Sequence, residues 1–456
     1  MIAPARRSAF QVLRAVAGGR IDLPDALARA RRNLEDERDR ALLVELAAGT
    51  LRWQLALDHV IQHASKWPLA RLDPEIRDLL RLGAYQLLHA DRIPAAAAVD
   101  DAVSLTRSAG KASAAGFVNA VLRRISRTRH HLPLPPRPSD LADRDAVIAY
   151  LSVTCSHPRW LIERWVDRVG FEATERWVRF NNQPAAVTLR ANTLRITRGE
   201  LAQQLDAAGV ETRPTRFAPD GLTVVAGQAR LSSLKDGGLF VTQDEASQLV
   251  GVLAAAAPGS RVLDACAAPG GKTLEIAAAL GDRGLIVAAD VRPRRVRLLR
   301  QAVSAAGAAR VAIMQLDLMQ PLPFAALFDV VLVDAPCSGL GIIHRDPEIR
   351  WRRVPDDLPR LAEAQHEMLG HAARVVRPGG RLIYSTCSSE PDENERVVSR
   401  FLADHPVFVR AGRDTVVQLL PQPARQLVDD AGDLHTWPWR DELDAFFAAV
   451  LVPGTL

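Results

Sequence analysis

Apolar side chains recur at helical spacing through the first quarter of the chain. Phe10, Leu13 and Ala17 mark one stripe and Ile76, Leu79 and Leu80 another, while Val118, Val121, Leu122 and Ile125 follow the i, i+3, i+4, i+7 rule. Nothing here alternates with the period of two of a half-buried strand, so residues 1–130 are expected to form an all-α bundle. His131–Ser139 places four prolines in nine residues, which a helix cannot run through and an extended linker suits. Between 145 and 235 the pattern is mixed. Helices are expected over 150–180 and 199–208, and strands over 185–190 and 222–225, giving a small α+β module. From 236 to 456, helical stretches alternate with short apolar runs at Arg261–Ala265, Leu285–Asp290, Arg310–Leu316, Phe328–Asp334 and Arg381–Ser385. Such runs read as buried parallel strands, and their alternation with helices predicts a doubly wound α/β, Rossmann-like domain.

Composition narrows the class. The 456 residues are 48% hydrophobic and 24% charged, which excludes a mainly disordered chain. No run of roughly 18 apolar residues suggests a membrane span, and the first seven residues do not lead into the apolar core of a secretory signal. Cys155, Cys266, Cys337 and Cys387 are too scattered for a zinc site or a disulfide framework, so no metal, reduced thiols and a cytoplasmic location are expected. A monomer is the default expectation. Net charge is +5, and lysine occurs only at Lys66, Lys111, Lys235 and Lys272, so nearly all 58 basic residues are arginine. That bias fits a GC-rich genome, and equally a phosphate-binding surface, because guanidinium is the better phosphate fork.

The sharpest local feature is Asp264–Thr273, a glycine loop between a strand and a helix. Gly270 and Gly271 permit close backbone approach, and the helix start offers unpaired N–H groups. The tail Gly271-Lys272-Thr273 fits a phosphate-binding P-loop, but Cys266 stands where that motif needs its leading glycine. The next three strands end at Asp290, Asp317 and Asp334. A single strand-end aspartate is usually a helix cap; three on the edge that carries a glycine loop suggest a nucleoside pocket. S-adenosylmethionine, with ribose and adenine but no phosphate, suits a degenerate phosphate loop beside a set of carboxylates.

Two cysteines fall at the same edge, Cys337 in Asp334-Ala-Pro-Cys-Ser-Gly339 and Cys387 in Ser385-Thr-Cys-Ser388. Cysteine is often no more than a small buried hydrophobe. Two at successive strand ends, however, should face one cleft with the cofactor. C5 of cytosine accepts a methyl group only after activation, and a thiolate adding at C6 makes C5 enamine-like. Two thiols can divide attack and release, and Asp334 is placed to hydrogen-bond the base at N3 or N4.

With these residues in place, 145–456 resembles the NOL1/NOP2/Sun family of RNA cytosine-5 methyltransferases. Asp264–Thr273 is similar to the family's cofactor loop, Asp334–Gly339 to its Asp-Ala-Pro-Cys motif, and Thr386-Cys387-Ser388 with Pro391-Asp-Glu-Asn-Glu395 to its second cysteine motif. Gln243–Ser247 and Gly341–Trp351 are similar to further family segments. The N-terminal part, especially Gly116–Arg124, resembles NusB-type RNA-binding helical domains. The resemblance implies a NusB-like domain over 1–130, an RNA-recognition-like module over 145–235 and an S-adenosylmethionine-dependent methyltransferase over 236–456. It implies small-subunit (16S) ribosomal RNA as partner, Cys387 as nucleophile and Cys337 as the residue assisting release. Cofactor contacts carry over to Cys266, Ala267, Ala268, Pro269, Gly270, Gly271 and Lys272, and to Asp290, Asp317 and Asp334. DNA cytosine methyltransferases attack with a Pro-Cys cysteine, a pattern matched here by Pro336-Cys337, so spacing alone favours the reverse assignment. One departure is Ala445, where the family often has glycine.

Arg123, Arg124, Arg127 and Arg129 are candidate RNA contacts at the end of the first domain, or simply a solvated helix end. Catalysis within folded RNA would require the cytosine to leave its stack. Competing readings are an RNA-binding or antitermination factor with an inert catalytic domain, and the same chemistry on transfer RNA or DNA. Methylation of an adenine amino group would want an Asp/Asn-Pro-Pro-aromatic motif, which Asp334–Cys337 lacks.

Overall fold

The apolar stripes of the N-terminal region fold into helices spanning Pro4–Ala17, Leu23–Arg31, Glu37–Arg52, Gln54–Ser65, Pro74–His89, Ala95–Ser108 and Ala115–Thr128 in the computed structural model. The structure describes residues 2–454 other than 20, 235, 236, 282, 325 and 326. Contacts divide the chain into two units, Met1–Pro184 with Ile343–Arg353, and Ala185–Ile342 with Val354–Leu456.

In the first unit, Asp22, Asp36 and Asp73 cap their helices by accepting from backbone N–H groups of the first turn. Val118, Val121, Leu122 and Ile125 are buried, as are Ile76, Leu79 and Leu80. Ala17 is exposed at the end of its helix, and Ala9 and Val12 complete that stripe instead. The proline segment 131–139 is extended, as expected, but not loose. Leu132 and Leu134 pack against the helical core, and the carbonyls of Pro133 and Pro135 bond to His59 and Thr154. The helix expected over 150–180 is interrupted. Tyr150–Thr154 forms a π turn, Ser156 has a φ of 57°, and a new helix runs Arg159–Asn181 with a break at Gly170. Pro158, which cannot donate to a preceding turn, explains the restart.

Residues 343–353 complete this unit through one fully buried arginine. The Arg350 guanidinium donates to the carbonyls of Ser156 (2.9 Å), Arg52 (3.3 Å) and Asn181 (3.3 Å) and to Asn182 Oδ1 (3.0 Å). Beside it, Trp351 Nε1 donates to Leu51 O at 2.6 Å. Burial, with Arg52 nearby, pulls the Arg350 pKa well down.

The second unit holds two sheets. The smaller has strands β1 (Thr188–Ala191), β2 (Glu211–Pro214), β3 (Gly221–Ala226) and β4 (Phe240–Thr242) in antiparallel order β2-β3-β1-β4. Its helix Arg198–Ala207 starts in a reciprocal capping box between Thr197 and Glu200. The larger contains β5 (Arg261–Asp264), β6 (Leu285–Asp290), β7 (Val311–Gln315), β8 (Phe328–Asp334), β9 (Val376–Thr386), β10 (Phe408–Arg410), β11 (Leu434–Thr436) and β12 (Phe446–Pro453). Its order is β10-β12-β9-β8-β5-β6-β7, with β11 beside β12. Strands β5 to β9 pair in parallel, as the sequence predicts. Strands β10 to β12 add an antiparallel flank that the pattern did not suggest. The chain runs outward from β5 to β6 and β7, then returns to β8 on the other side, so a crevice opens beyond the carboxyl ends of β5 and β8. Among the described residues no helix is long and apolar enough to cross a membrane.

Arg350→Ala leaves four acceptors inside the first unit without their donor. We expect a loss of at least ~2 kcal/mol and a melting temperature lower by about 5 °C or more, read by circular dichroism. An unchanged melting curve would contradict the anchoring role.

Candidate active site

The carboxyl ends of β5, β6, β8 and β9 converge on one crevice. Beyond β5, Ala265 N bonds to Leu332 O and Ala267 N to Ala289 O, which pins the glycine loop between its neighbouring strands. Gly270 adopts a φ of 115°, and a Cβ there would sit 3.0 Å from Leu299 Cδ1. Glycine therefore lets the loop turn into the helix Gly271–Ala279 against the helix packed behind it.

Lys272 is buried on that first turn. Its ammonium donates to Asp334 Oδ2 at 2.6 Å and to Ser247 Oγ at 3.1 Å. Burial pushes its pKa down, but Asp334, Cys387 and Asp264 outweigh this, and the ammonium is held above its ordinary value. The other Asp334 oxygen accepts from Ser385 Oγ at 2.8 Å, so the carboxylate is fixed from both sides. Asp264 is fully buried. One oxygen accepts from Thr273 Oγ1 at 2.6 Å, whereas Oδ1 has no hydrogen-bond partner. Burial, opposed by the Thr273 bond and reinforced by Asp334, raises its pKa to about 7. Asp290 is buried and paired with Arg295 at 3.2 Å, and Arg295 also bonds to Ala268 O in the loop. Asp317 lies two residues past β7, is exposed, and accepts from Met319 N. Burial, with the surrounding aspartates, pushes the Cys266 thiol up.

The two cysteines meet. Cys337 Sγ and Cys387 Sγ are 3.1 Å apart, each partly buried. The bond to Cys387, burial and the Glu393 carboxylate together hold the Cys337 thiol well above its usual range. Gly341 closes this arrangement. Its N–H donates to Cys387 O at 3.0 Å, its carbonyl accepts from Ala445 N at 2.9 Å, and a Cβ would lie 2.0 Å from Ala445 O. Ala445 itself is buried with no positive φ, so alanine is accommodated where glycine was expected. A thiol pair and a fixed lysine–carboxylate pair can support nucleophilic addition to a base and its reversal.

A family model described as 16S rRNA methyltransferase RsmB/F matches residues 252–452. A NusB model matches 3–127, and a model of the ferredoxin-like domain of RsmF/B-like methyltransferases matches 157–229. The probable ribosomal RNA small subunit methyltransferase B of Bacillus subtilis (strain 168) is 35% identical over 413 residues, 90% of each chain. The chain belongs to the RsmB/F family of 16S rRNA methyltransferases. The ribosomal RNA small subunit methyltransferase B of Pseudomonas putida is 35% identical over 433 residues, covering 94% of this chain and 95% of its own. Among solved structures, that of PH0851 matches with a TM-score of 0.82 at 28% identity, over 99% of both chains.

Within this RsmB/F chain the crevice brings together Lys272, Asp334, Cys337 and Cys387, while Asp317 is exposed beyond β7 and bonds locally to Met319 N. Sequence reasoning missed Ser247, Asp264 and Ser385 as members of the site. Ser247 lies in the Gln243–Ser247 segment and Asp264 ends a strand like the other carboxylates, so both carried a signal. Ser385 carried none beyond its place before Thr386-Cys387. Of the four arginines suggested for RNA, Arg124 turns inward to Ala64 O, whereas Arg123, Arg127 and Arg129 are exposed.

The raised Asp264 pKa has a signed consequence. Above about pH 4 the unfolded carboxyl is ionised, while the folded one keeps its proton until about pH 7. This group therefore makes stability fall as pH rises across that window. Asp264→Asn removes the term, so the variant's melting temperature relative to wild type should be higher at pH 8 than at pH 5, read by thermal denaturation without cofactor. An offset independent of pH would contradict it.

Proposed function

We propose that the protein methylates C5 of a cytosine in 16S ribosomal RNA, with S-adenosylmethionine as donor and a covalent cysteine–C6 adduct on the path. The observation that carries this reading is the 3.1 Å approach of Cys337 and Cys387 beside the Lys272–Asp334 pair. Small-subunit ribosomal RNA as substrate follows from the names of the relatives and the NusB-like domain.

The crevice fits the cofactor. Asp264 Oδ1 and Gln243 Oε1 are buried acceptors without partners, next to the glycine loop. A ligand bearing amine and hydroxyl donors would satisfy them. Residues 266–272 and Asp290 line the cradle in this reading, Asp334 closes it toward the base, and Asp317 is the further carboxylate proposed to contact the cofactor. When bound, S-adenosylmethionine supplies the electrophilic methyl group.

Cys387 is the attacking sulfur. Its thiolate forms a bond to C6 as the C5–C6 double-bond electrons move to C5. The Lys272 ammonium interacts electrostatically with Cys387 and bonds to Asp334, placing positive charge beside the nucleophile. Asp334 keeps spare lone pairs after its two bonds and can accept from the cytosine amino group. After methylation the C5 proton passes to solvent water, the C5–H electron pair restores the C5–C6 double bond, and the Cys387–C6 bond breaks with its electrons going to sulfur. Cys337, held in its protonated form, stands where it can donate its own thiol proton to the departing Cys387 sulfur and regain one from solvent.

With S-adenosylmethionine and 16S RNA, Cys337→Ala should accumulate an RNA adduct that survives denaturing gels. Cys387→Ala should give neither adduct nor product, and wild type should yield 5-methylcytosine in digested 16S RNA but not in transfer RNA. An adduct with Cys387→Ala alone would exchange the two roles. Absence of 5-methylcytosine from every RNA tested with wild type would sink the reading.

A further inference from the structure

The reaction sketched above needs two sulfurs on separate loops to hold one spacing through attack and release. The strand ends alone do not provide this, because both cysteines lie beyond the last ladder residues, in segments without regular structure. A fully buried carboxylate further along the Cys387 loop joins them. Glu393 Oε1 accepts from Ser338 N at 2.7 Å and from Gln365 Nε2 at 3.0 Å. Its Oε2 accepts from the hydroxyls of Ser338 and Ser388, each at 2.5 Å. Ser338 follows Cys337 and Ser388 follows Cys387. One carboxylate therefore holds the residue after each sulfur, with four donors on two oxygens.

The surroundings extend the same pattern. Gln365 also donates to Pro336 O, which precedes Cys337. Asn394 accepts from Thr386 Oγ1, which precedes Cys387, and donates to Ser388 O at 3.0 Å. Tyr384 OH, on β9, donates to the Glu393 carbonyl. Both flanks of both cysteines are thus bound to residues 393–394 and Gln365. A carboxylate is the side chain that can accept four short bonds at once and reach both loops.

We infer that Glu393 is a positioning residue that sets the Cys337–Cys387 spacing, by clamping Ser338 and Ser388 with one carboxylate. The inference rests on the two-cysteine reading proposed above. Glu393 touches neither sulfur by hydrogen bond and acts through the two serines. The same carboxylate lies close enough to raise the Cys337 thiol, which favours the protonated form needed at release. Loss of the clamp should therefore harm release more than attack, leaving the adduct standing.

The test uses the full-length protein, S-adenosylmethionine and 16S RNA. Turnover at saturating substrates, adduct fraction on denaturing gels and cofactor Kd by calorimetry are compared for wild type, Cys337→Ala, Glu393→Ala and Glu393→Gln. Misplacement of a catalytic group by about an ångström costs up to ~100-fold, so Glu393→Ala should lose at least tenfold in turnover while gaining adduct, as Cys337→Ala does. Cofactor Kd should stay within about twofold, because the glycine loop is untouched. Glutamine keeps one carbonyl acceptor and can bond both hydroxyls with its amide, so Glu393→Gln should recover turnover to within about fivefold of wild type. If Glu393→Ala does not fold, the double variant Ser338→Ala, Ser388→Ala should show the same loss and the same adduct. Wild-type turnover in Glu393→Ala, or a loss accompanied by weaker cofactor binding and no adduct, would overturn the inference. If Cys337→Ala also forms no adduct and wild type makes no 5-methylcytosine, the two-cysteine reading itself has failed. An adduct in Cys337→Ala with normal behaviour of the Glu393 variants isolates failure to the clamp.

Discussion

Asp334 and Ser385 are register partners across the parallel pair β8 and β9 and are joined again through Ser385 Oγ to Asp334 Oδ1. The chemistry of the crevice depends on that register. Cys337 is three residues beyond one partner and Cys387 two beyond the other, so both loops leave the sheet at the same depth. A slip of two residues would move one sulfur by about 7 Å along the strand, and a slip of one would turn Ser385 to the opposite face. The antiparallel flank holds β9 on its other edge, where Thr386 pairs with Phe447. The unforeseen strand β12 thus buttresses the strand that delivers Cys387, and the bond from Ala445 N to Gly341 O carries the same support to the loop beyond Cys337.

Charge is arranged around a single lysine. Asp264, Asp290 and Asp334 are carboxylates at the ends of three neighbouring strands, β5, β6 and β8, and Lys272 enters among them from the helix start. Burial alone would neutralise the amine, yet its pKa is raised because Asp334 accepts its hydrogen bond and Asp264 and Cys387 lie nearby. Asp264 pays the complementary cost, a carboxyl raised to about 7 and an acceptor without a donor. Such a polarised and partly unsatisfied pocket is what a donor-rich ligand would complete.

The parts legible in the sequence are those written in local pattern. Helical stripes in the first 130 residues and apolar runs at β5, β6 and β8 mark elements buried on their own account, whereas β7, foreseen as a buried strand, is the half-exposed edge of the sheet. β9 was foreseen only from Arg381, because Arg377-Pro-Gly-Gly380 breaks the apolar run where the strand begins at Val376. Strands β4, β10 and β11 are three residues long and too short to show a period, and β2 is largely exposed and carries no apolar signal. Within the site, strand-end position gave the cysteines and Asp334. Ser247 and Glu393 lay in segments singled out by resemblance, but their partners, 25 and 55 residues away, and the role of Ser385, whose partner is 51 residues away, appear only when distant segments meet.

The assignment of the two sulfurs turns on environment more than on motif. Pro336-Cys337 alone would favour Cys337 as nucleophile, by likeness to the DNA enzymes. A nucleophilic thiol must ionise, and Cys337 is the sulfur whose surroundings oppose ionisation: burial, the neighbouring sulfur and the Glu393 carboxylate all raise it. The positive charge in the crevice lies elsewhere, with the Lys272 ammonium acting on Cys387. A thiol held protonated at 3.1 Å from its partner is poorly suited to attack and well suited to protonating a leaving sulfur. The raised Cys337 thiol agrees with the proposed division, Cys387 as attacker and Cys337 as donor, which the Thr386-Cys387-Ser388 resemblance implies. In the proposed reading, the carboxylate that ties the loops together also helps keep the Cys337 thiol protonated.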